Sequence, residues 1–295
     1  MSPGPVRIGD LLQQGGRSFS FEFFPPKDEA GEEVLWRSIS ELEPLRPSFV
    51  SVTYGAGGTT RDRTVAITGR IAHETSMLPM AHLTCVGHTT DELAGILRSL
   101  SEAGVRNVLA LRGDPLDGPG TEWVRTEGGM DYASELVGFI RSSSDLSIGV
   151  AAFPEGHRDA TSLEADVEVL KVKQAAGAEF AVTEMVLRAS DYFGLVERAA
   201  AEGVDFPIIP GIMPILNFAS MSKMVELSGR EIPAEVMGRL APLQDDPPAL
   251  RAAGIEIATE LCDVLLERGA PGLHFYTLNR SKATREIYAA LSLPA

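Results

Sequence analysis

The chain has few cysteines and no long apolar segment, and each shortage argues against a class of protein. Cys85 in HLTCV and Cys262 in ELCDVL are its 2 cysteines. Thiols within apolar runs, without CxxC spacing, indicate small buried side chains rather than a disulfide framework or a zinc site. No run of about 18 apolar residues occurs, so no transmembrane helix is expected. The amino terminus MSPGPVRIGDLLQQGG also lacks the apolar core of a signal peptide, so we expect a cytoplasmic protein.

Basic residues are also in short supply. The sequence has 26 lysines and arginines against 41 acidic residues, a formal net charge of −15. Proteins that bind phosphate backbones need clustered Lys and Arg, so neither a nucleic acid nor an anionic membrane is an expected partner. The acidic surface indicates solubility. An anionic small molecule would need local Arg and Lys side chains.

What the sequence does contain is a regular alternation of short apolar runs and amphipathic segments. Such alternation predicts parallel βαβ units, and eight units in 295 residues predict a single α/β domain over 1–295, a (β/α)8 TIM barrel. A doubly wound sheet is the competitor, but FFPPKDEAG after the first run has no GxGxxG. Extra helices are predicted within 217–270. The predicted strands are 18–24, 48–54, 80–86, 107–113, 147–153, 179–186, 206–214 and 273–279.

In a barrel, function lies at the carboxyl ends of the strands, so polar residues there are informative. Glu22 lies between aromatic residues in SFSFEFFPP. A carboxylate in an apolar strand is costly unless it is paired, or unless its pKa rises and it keeps a proton. A protonated Glu suits a general acid, and an ion pair with Arg or Lys of a neighbouring strand is the structural alternative.

Other strand ends carry candidate catalytic or ligand-binding residues, and each of them also has a purely structural explanation. His82 in AHLTC is either a core histidine or a catalyst, and Arg112 and Asp114 in LALRGDP hold either a ligand or each other. The glycines of VTYGAGGTTRDRT allow a close approach of main chain to a ligand. His157 either contacts a phosphate or is exposed. Charged residues of the next helix, at 166, 171 and 173, are normally solvated.

Together these strand ends resemble the methylenetetrahydrofolate reductase family. The similarity runs from residue 18 to 280, and several long, chemically unusual strings occur in order. The strings are FSFEFFPPK, FVSVTYGAGG, AHLTC, LALRGDP, FPEGH, PIIPGIMPI followed by NF, and GLHFYTLNR.

The resemblance implies a flavin-dependent oxidoreductase. NADH or NADPH would reduce a non-covalently bound FAD, and 5,10-methylenetetrahydrofolate would then take the hydride, in a ping-pong reaction that supplies methyl groups for methionine synthesis. Glu22 matches the acid that opens the imidazolidine ring, and Asp114 matches a carboxylate beside flavin and pterin. The substrate-facing positions also include Glu184, Phe218 and Arg280. The flavin-contacting positions are Thr53, His82, Arg112, Gly113, Tyr132, Ala151, His157, Asp166 and Lys173.

The sequence also departs from the family. Glu184 stands where many relatives have Gln, and a carboxylate accepts hydrogen bonds but does not donate them, so folate or nicotinamide affinity is expected to differ. Val186 and Leu187 replace aromatic residues. Val169 and Val172 stand where some relatives have polar flavin contacts, which predicts weaker flavin binding or its loss. The regulatory domain of eukaryotic members is not expected.

Two alternatives follow from these departures. One is a flavin-free reductase, or another folate-dependent one-carbon enzyme, on the same barrel. The other is a non-catalytic protein that binds folate or flavin. A homo-oligomer is compatible with all of them, and the sequence does not distinguish NADH from NADPH.

Overall fold

Eight parallel strands form a closed barrel, each pairing with the next along the chain and the last with the first. This computed structural model describes residues 6–54, 61–115, 118, 121–219, 221 and 231–291. The predicted (β/α)8 architecture is confirmed, while the prediction of one domain over 1–295 stays a prediction. The strands are β1 (Ser18–Phe23), β2 (Phe49–Val52), β3 (Pro79–Thr84), β4 (Asn107–Leu111), β5 (Ser147–Ala152), β6 (Phe180–Met185), β7 (Ile208–Ile212) and β8 (Gly272–Tyr276).

Helices follow the strands, and the described residues between β7 and β8 contain helices within 217–270, where extra helices are predicted. Local signals in the sequence set several helix ends. Thr89 and Glu92 form a reciprocal capping box at the start of one helix, and Gly177 ends another with φ of 117°. The helices are α1 (Ile8–Gln13), α2 (Glu29–Leu42), α3 (Arg61–Glu74), α4 (Thr90–Glu102), α5 (Ala133–Ser143), α6 (Leu163–Ala176), α7 (Ala189–Ala201), α8 (Ala234–Leu240), α9 (Pro247–Glu267) and α10 (Ser281–Ala290). In the described residues, none of the helices combines the length and apolarity needed to cross a membrane.

The barrel interior is apolar at its amino-terminal end and polar towards its carboxyl-terminal end. Phe49, Met80, Leu109, Phe180 and Ile209 belong to one buried cluster inside the strands. Because side chains of a strand alternate between its two faces, residues two positions further along point inward at the next level. That level carries the apolar Leu111 and Val182 and otherwise polar or small side chains, which are Glu22, Ser51, His82, Ala151, Gly211 and His274.

Helix α1 packs at the amino-terminal end, near the start of β5, and polar side chains satisfy its first amides. The Ile8 amide donates to Asn107 Oδ1 at 2.7 Å, and the Gly9 amide donates to Ser147 Oγ at 2.9 Å. Glu179 accepts from Ser147 and from Arg141. Since these charges lie at the strand starts, they stabilise the fold away from the carboxyl-terminal mouth.

Candidate functional site

Glu22 is the centre of a buried polar cluster at the carboxyl-terminal half of the barrel. Its Oε2 atom lies 3.3 Å from Nε2 of His82 on β3 and 3.3 Å from Nε2 of His274 on β8. Ser51 on β2 donates to the same oxygen at 3.2 Å. Ser20 Oγ lies 2.7 Å from His274 Nδ1. Neighbouring strands thus converge on one carboxyl oxygen, and the partners are imidazoles rather than the Arg or Lys of the structural alternative.

These imidazoles lower the pKa of Glu22, whereas an unpaired buried acid would have a raised pKa. Burial alone would raise the pKa. The charge of His82, together with the hydrogen bond and charge of His274, outweighs burial and lowers the pKa to about 2. Glu22 is therefore a carboxylate at neutral pH in the ligand-free protein.

Sequence reasoning did not single out Ser20, Ser51 or His274. A signal for them existed, because Ser20 and Glu22 alternate with phenylalanines in SFSFEFF and His274 alternates with apolar residues in GLHFY. Polar residues at every second position of an apolar strand mark its inward face once the strand is known to curve into a barrel. Which of them meet depends on the register between β1 and β8, which pairs Ser20 with His274.

A second polar cluster lies beside the mouth, where α6 packs against β5. Asp166 and Lys173 are both buried, which corrects the expectation of a solvated helix face; Lys171, by contrast, is exposed and pairs with Glu168. The Lys173 ammonium donates to the Ala151 carbonyl at 3.0 Å. Burial lowers the pKa of Lys173 to about 8, and Asp166 opposes that effect.

Arg112 at the end of β4 extends this cluster. Its guanidinium lies 3.0 Å from Asp159 and 4.9 Å from the centre of the Trp123 ring. The expected alternative of a turn salt bridge with Asp114 is therefore replaced by a pair with Asp159. His157 accepts the Asp159 amide hydrogen at Nδ1, and burial lowers its pKa. A neutral His157 can then donate from Nε2 to a ligand.

Beside β3 and β4, the main chain packs closely and two buried polar atoms keep free hydrogen-bonding capacity. Gly113 has φ of 86°, and a Cβ atom there would lie 2.4 Å from Val86. Thr84 Oγ1 and His82 Nε2 are buried without a hydrogen-bond partner among the described residues, since the 3.3 Å approach of His82 to Glu22 is not along a hydrogen-bond direction. Unsatisfied buried polar atoms are rare in native proteins and point to a missing partner.

The remaining sequence-predicted residues lie around the rim. Asp114, Tyr132 and Arg280 are exposed, Thr53 follows β2, and Phe218 packs against the apolar cluster that includes Leu240 and Leu250. Of the glycine-rich segment after β2, residues 55–60 lie outside the described residues.

Val169 and Val172 are each 47% exposed on α6. They lie on the same helix as the buried Asp166 and Lys173, but on its exposed side. The prediction that they weaken flavin binding stays a prediction.

Glu184 near the end of β6 completes the set of acids at the mouth. Its side chain is partly buried, and its charge reaches Tyr276 of β8. Burial and the negative charges of Glu22 and Glu184 raise the pKa of Tyr276 on β8 well above its ordinary value. Both carboxylates therefore act on one phenol inside the barrel.

Sequence comparisons identify relatives of the whole barrel. The family model described as Methylenetetrahydrofolate reductase matches residues 7–292. 5,10-methylenetetrahydrofolate reductase of Escherichia coli is 39% identical over 280 residues, which cover 95% of this chain and 92% of that protein. Methylenetetrahydrofolate reductase 1 of Schizosaccharomyces pombe is 38% identical over 94% of this chain, and the chain spans only 46% of its length. Methylenetetrahydrofolate reductase (NADH) 1 of Arabidopsis thaliana is 38% identical, and the match covers 97% of this chain and 50% of that protein.

Solved structures share the fold at low sequence identity. An uncharacterized protein from Clostridium thermocellum that binds two copies of 5-methyl-5,6,7,8-tetrahydrofolic acid superposes with a TM-score of 0.63 and 15% identity, covering 96% of this chain and 97% of that one. A 2,3-dimethylmalate lyase superposes with a TM-score of 0.51 and 15% identity, covering 95% of this chain and 94% of that one. At such identities, the similarity concerns the barrel alone.

Proposed function

The chain belongs to the methylenetetrahydrofolate reductase family, and on that premise we propose that it reduces 5,10-methylenetetrahydrofolate to 5-methyltetrahydrofolate. In this proposal NADH or NADPH is the donor, FAD is bound without a covalent link, and the product supplies methyl groups for methionine synthesis in the cytoplasm. The observation that carries the proposal is the buried carboxylate of Glu22 between two imidazoles, in a chain that matches the family over residues 7–292.

Glu22 and its neighbours can deliver the proton that opening of a five-membered imidazolidine ring requires. Because the Glu22 pKa is lowered to about 2, the proton cannot be stored on the carboxylate of the ligand-free protein. The proton therefore has to reach Oε2 from a neighbouring polar group, of which His274 Nε2 lies 3.3 Å away, before it passes to the substrate nitrogen. A substrate that displaces water from the mouth would make the charged form of Glu22 less favourable. Transfer of a proton to its carboxylate would then become easier.

Residues of β3 to β5 and α6 fit an anionic, flat cofactor. Lys173 and Arg112 supply positive charge within an acidic protein, and His157 supplies a neutral donor. Gly113 lets the main chain after β4 pack closely against Val86 beside this site, and the unsatisfied atoms of His82 and Thr84 can bond the polar edge of the cofactor. When bound, a flavin supplies the hydride relay between nicotinamide and folate.

Asp114 and Glu184 add negative charge near the substrate position. A carboxylate there can stabilise the cationic form of an opened folate. Glu184 can accept two hydrogen bonds from the donor edge of a pterin.

Flavin content and two half-reactions test the proposal directly. We expect a yellow protein with about one flavin per chain, bleached anaerobically by NADH or NADPH and recoloured by methylenetetrahydrofolate. A colourless protein that still reduces the folate would support the flavin-free alternative. Failure both to oxidise the nicotinamide with an artificial acceptor and to consume the folate would contradict the proposal and leave a binding protein.

A further inference from the structure

Strand β6 contains a β-bulge between Val182 and Met185. Val182 pairs with Ile209 and Met185 pairs with Gly211, so three steps along β6 correspond to two along β7. A bulge inserts one extra residue and changes the direction in which the following side chains point. The extra residue lies at 183–184, where β6 reaches the mouth.

Side chains replace the main-chain hydrogen bonds that the bulge interrupts. Tyr276 donates from its hydroxyl to the Thr183 carbonyl at 2.6 Å. The Gly211 amide donates to Thr183 Oγ1 at 2.9 Å, and that hydroxyl donates to the Glu184 carbonyl at 2.6 Å. The bulge is thus held from β7 and β8, and the main chain on both sides of the 183–184 peptide is fixed.

The contact also explains a glycine on β7. A Cβ atom on Gly211 would lie 2.5 Å from the Thr183 carbonyl oxygen and 2.8 Å from the Tyr276 hydroxyl oxygen. A larger residue would push the phenol away from the bulge. Gly211 therefore allows Tyr276 to reach across β7 to β6.

We propose that Tyr276 is a positioning residue, which fixes the bulge at 183–184 through the Thr183 carbonyl and thereby aims the Glu184 carboxylate at the substrate. The inference rests on the proposed function, since substrate binding by Glu184 is part of it. Tyr276 itself takes no part in the chemistry, because its hydroxyl hydrogen is already committed to main chain.

The test removes the hydroxyl with Tyr276→Phe and measures steady-state kinetics and the rate of cofactor reduction by NADH. Loss of one hydrogen bond should raise KM for methylenetetrahydrofolate about three- to tenfold, with little change in kcat. The same substitution in a Glu184→Ala background should change KM no further, because the carboxylate being aimed is absent. Thr183→Val should reproduce the effect, since it removes the hydrogen bonds of Oγ1.

Tyr192→Phe is a matched control. Tyr192 on α7 is buried, and its hydroxyl likewise donates to a main-chain carbonyl, that of Ile208, at 2.8 Å. Both substitutions should lower the melting temperature by similar amounts, but Tyr192→Phe should leave KM unchanged.

Equal effects of the two tyrosine substitutions on KM, or a full effect of Tyr276→Phe without Glu184, would overturn the inference. A Tyr276→Phe crystal structure with residues 183–184 unmoved would do the same, whatever the activity. An inactive wild-type enzyme would instead contradict the proposed function, and the crystal structure would then decide the positioning role by itself.

Discussion

Glu22→Gln is the substitution that most directly examines the proposed acid. It keeps the size of the side chain but removes the charge and the acidic proton from a group whose Oε2 lies 3.2 to 3.3 Å from Ser51, His82 and His274. Loss of a general acid costs about 10²- to 10⁴-fold in rate. We therefore expect cofactor reduction by NADH to persist and folate reduction to fall by about that factor, in anaerobic stopped-flow measurements of the separate half-reactions.

The same substitution has a predicted effect on stability. A pKa lowered from 4.5 to about 2 corresponds to about 3 kcal/mol of favourable interaction for the carboxylate. A lowered acid pKa stabilises the fold above the unfolded pKa, and this contribution disappears as pH falls from 4.5 towards 2. The variant should therefore unfold more easily at pH 7, with the difference shrinking towards pH 2.

Glu179→Gln provides the control for that experiment. Glu179 is a partly buried carboxylate whose pKa is also lowered by its partners, but it lies at the amino-terminal end of β6 with Ser147 and Arg141. Its substitution should cost stability and leave both half-reactions intact. Equal losses of Glu22→Gln in the two half-reactions would refute the assignment of Glu22 as the acid.

Three further predictions follow from the site. Glu184→Gln should tighten folate binding, measured as a dissociation constant, because an amide both donates and accepts hydrogen bonds; unchanged or weaker binding would contradict this. Burial lowers the pKa of Lys173 from 10.5 to about 8. Between pH 8 and pH 10 the unfolded chain therefore keeps a proton on Lys173 that the folded protein has lost. The free energy of unfolding should rise by about 2 kcal/mol over that range. Urea unfolding of Lys173→Gln should lack this rise, while Lys171→Gln should retain it. Gly113→Ala should lose more than about 1 kcal/mol because of its positive φ and the contact with Val86, whereas Gly138→Ala, with nothing within 4 Å, should gain about 0.5 to 1 kcal/mol in thermal unfolding.

The polar positions were only partly predictable from the sequence. Glu22 and His82 stand out because each is an isolated polar residue in an apolar strand, but their 3.3 Å approach depends on the stagger between β1 and β3. Asp166 and Lys173 read as an ordinary solvated helix face, since a helical pattern does not tell which face packs on a strand. The Arg112 partner was not predictable either, because Asp159 is 47 residues away in sequence and only the fold of the loop after β5 brings it close.

By itself, the sequence determined the eight strands, their alternation with helices and the closed barrel, because hydrophobic periodicity and turn residues act locally along the chain. It also determined the family, through strings at the strand ends. Only the tertiary structure decided which side chains at those strand ends are in contact and how they change one another's pKa and orientation. Two imidazoles reverse the pKa shift that burial would give Glu22, and a bulge held by Tyr276 sets the direction of Glu184. Both depend on strand register and on contacts across the barrel between residues far apart in sequence, which no local pattern encodes.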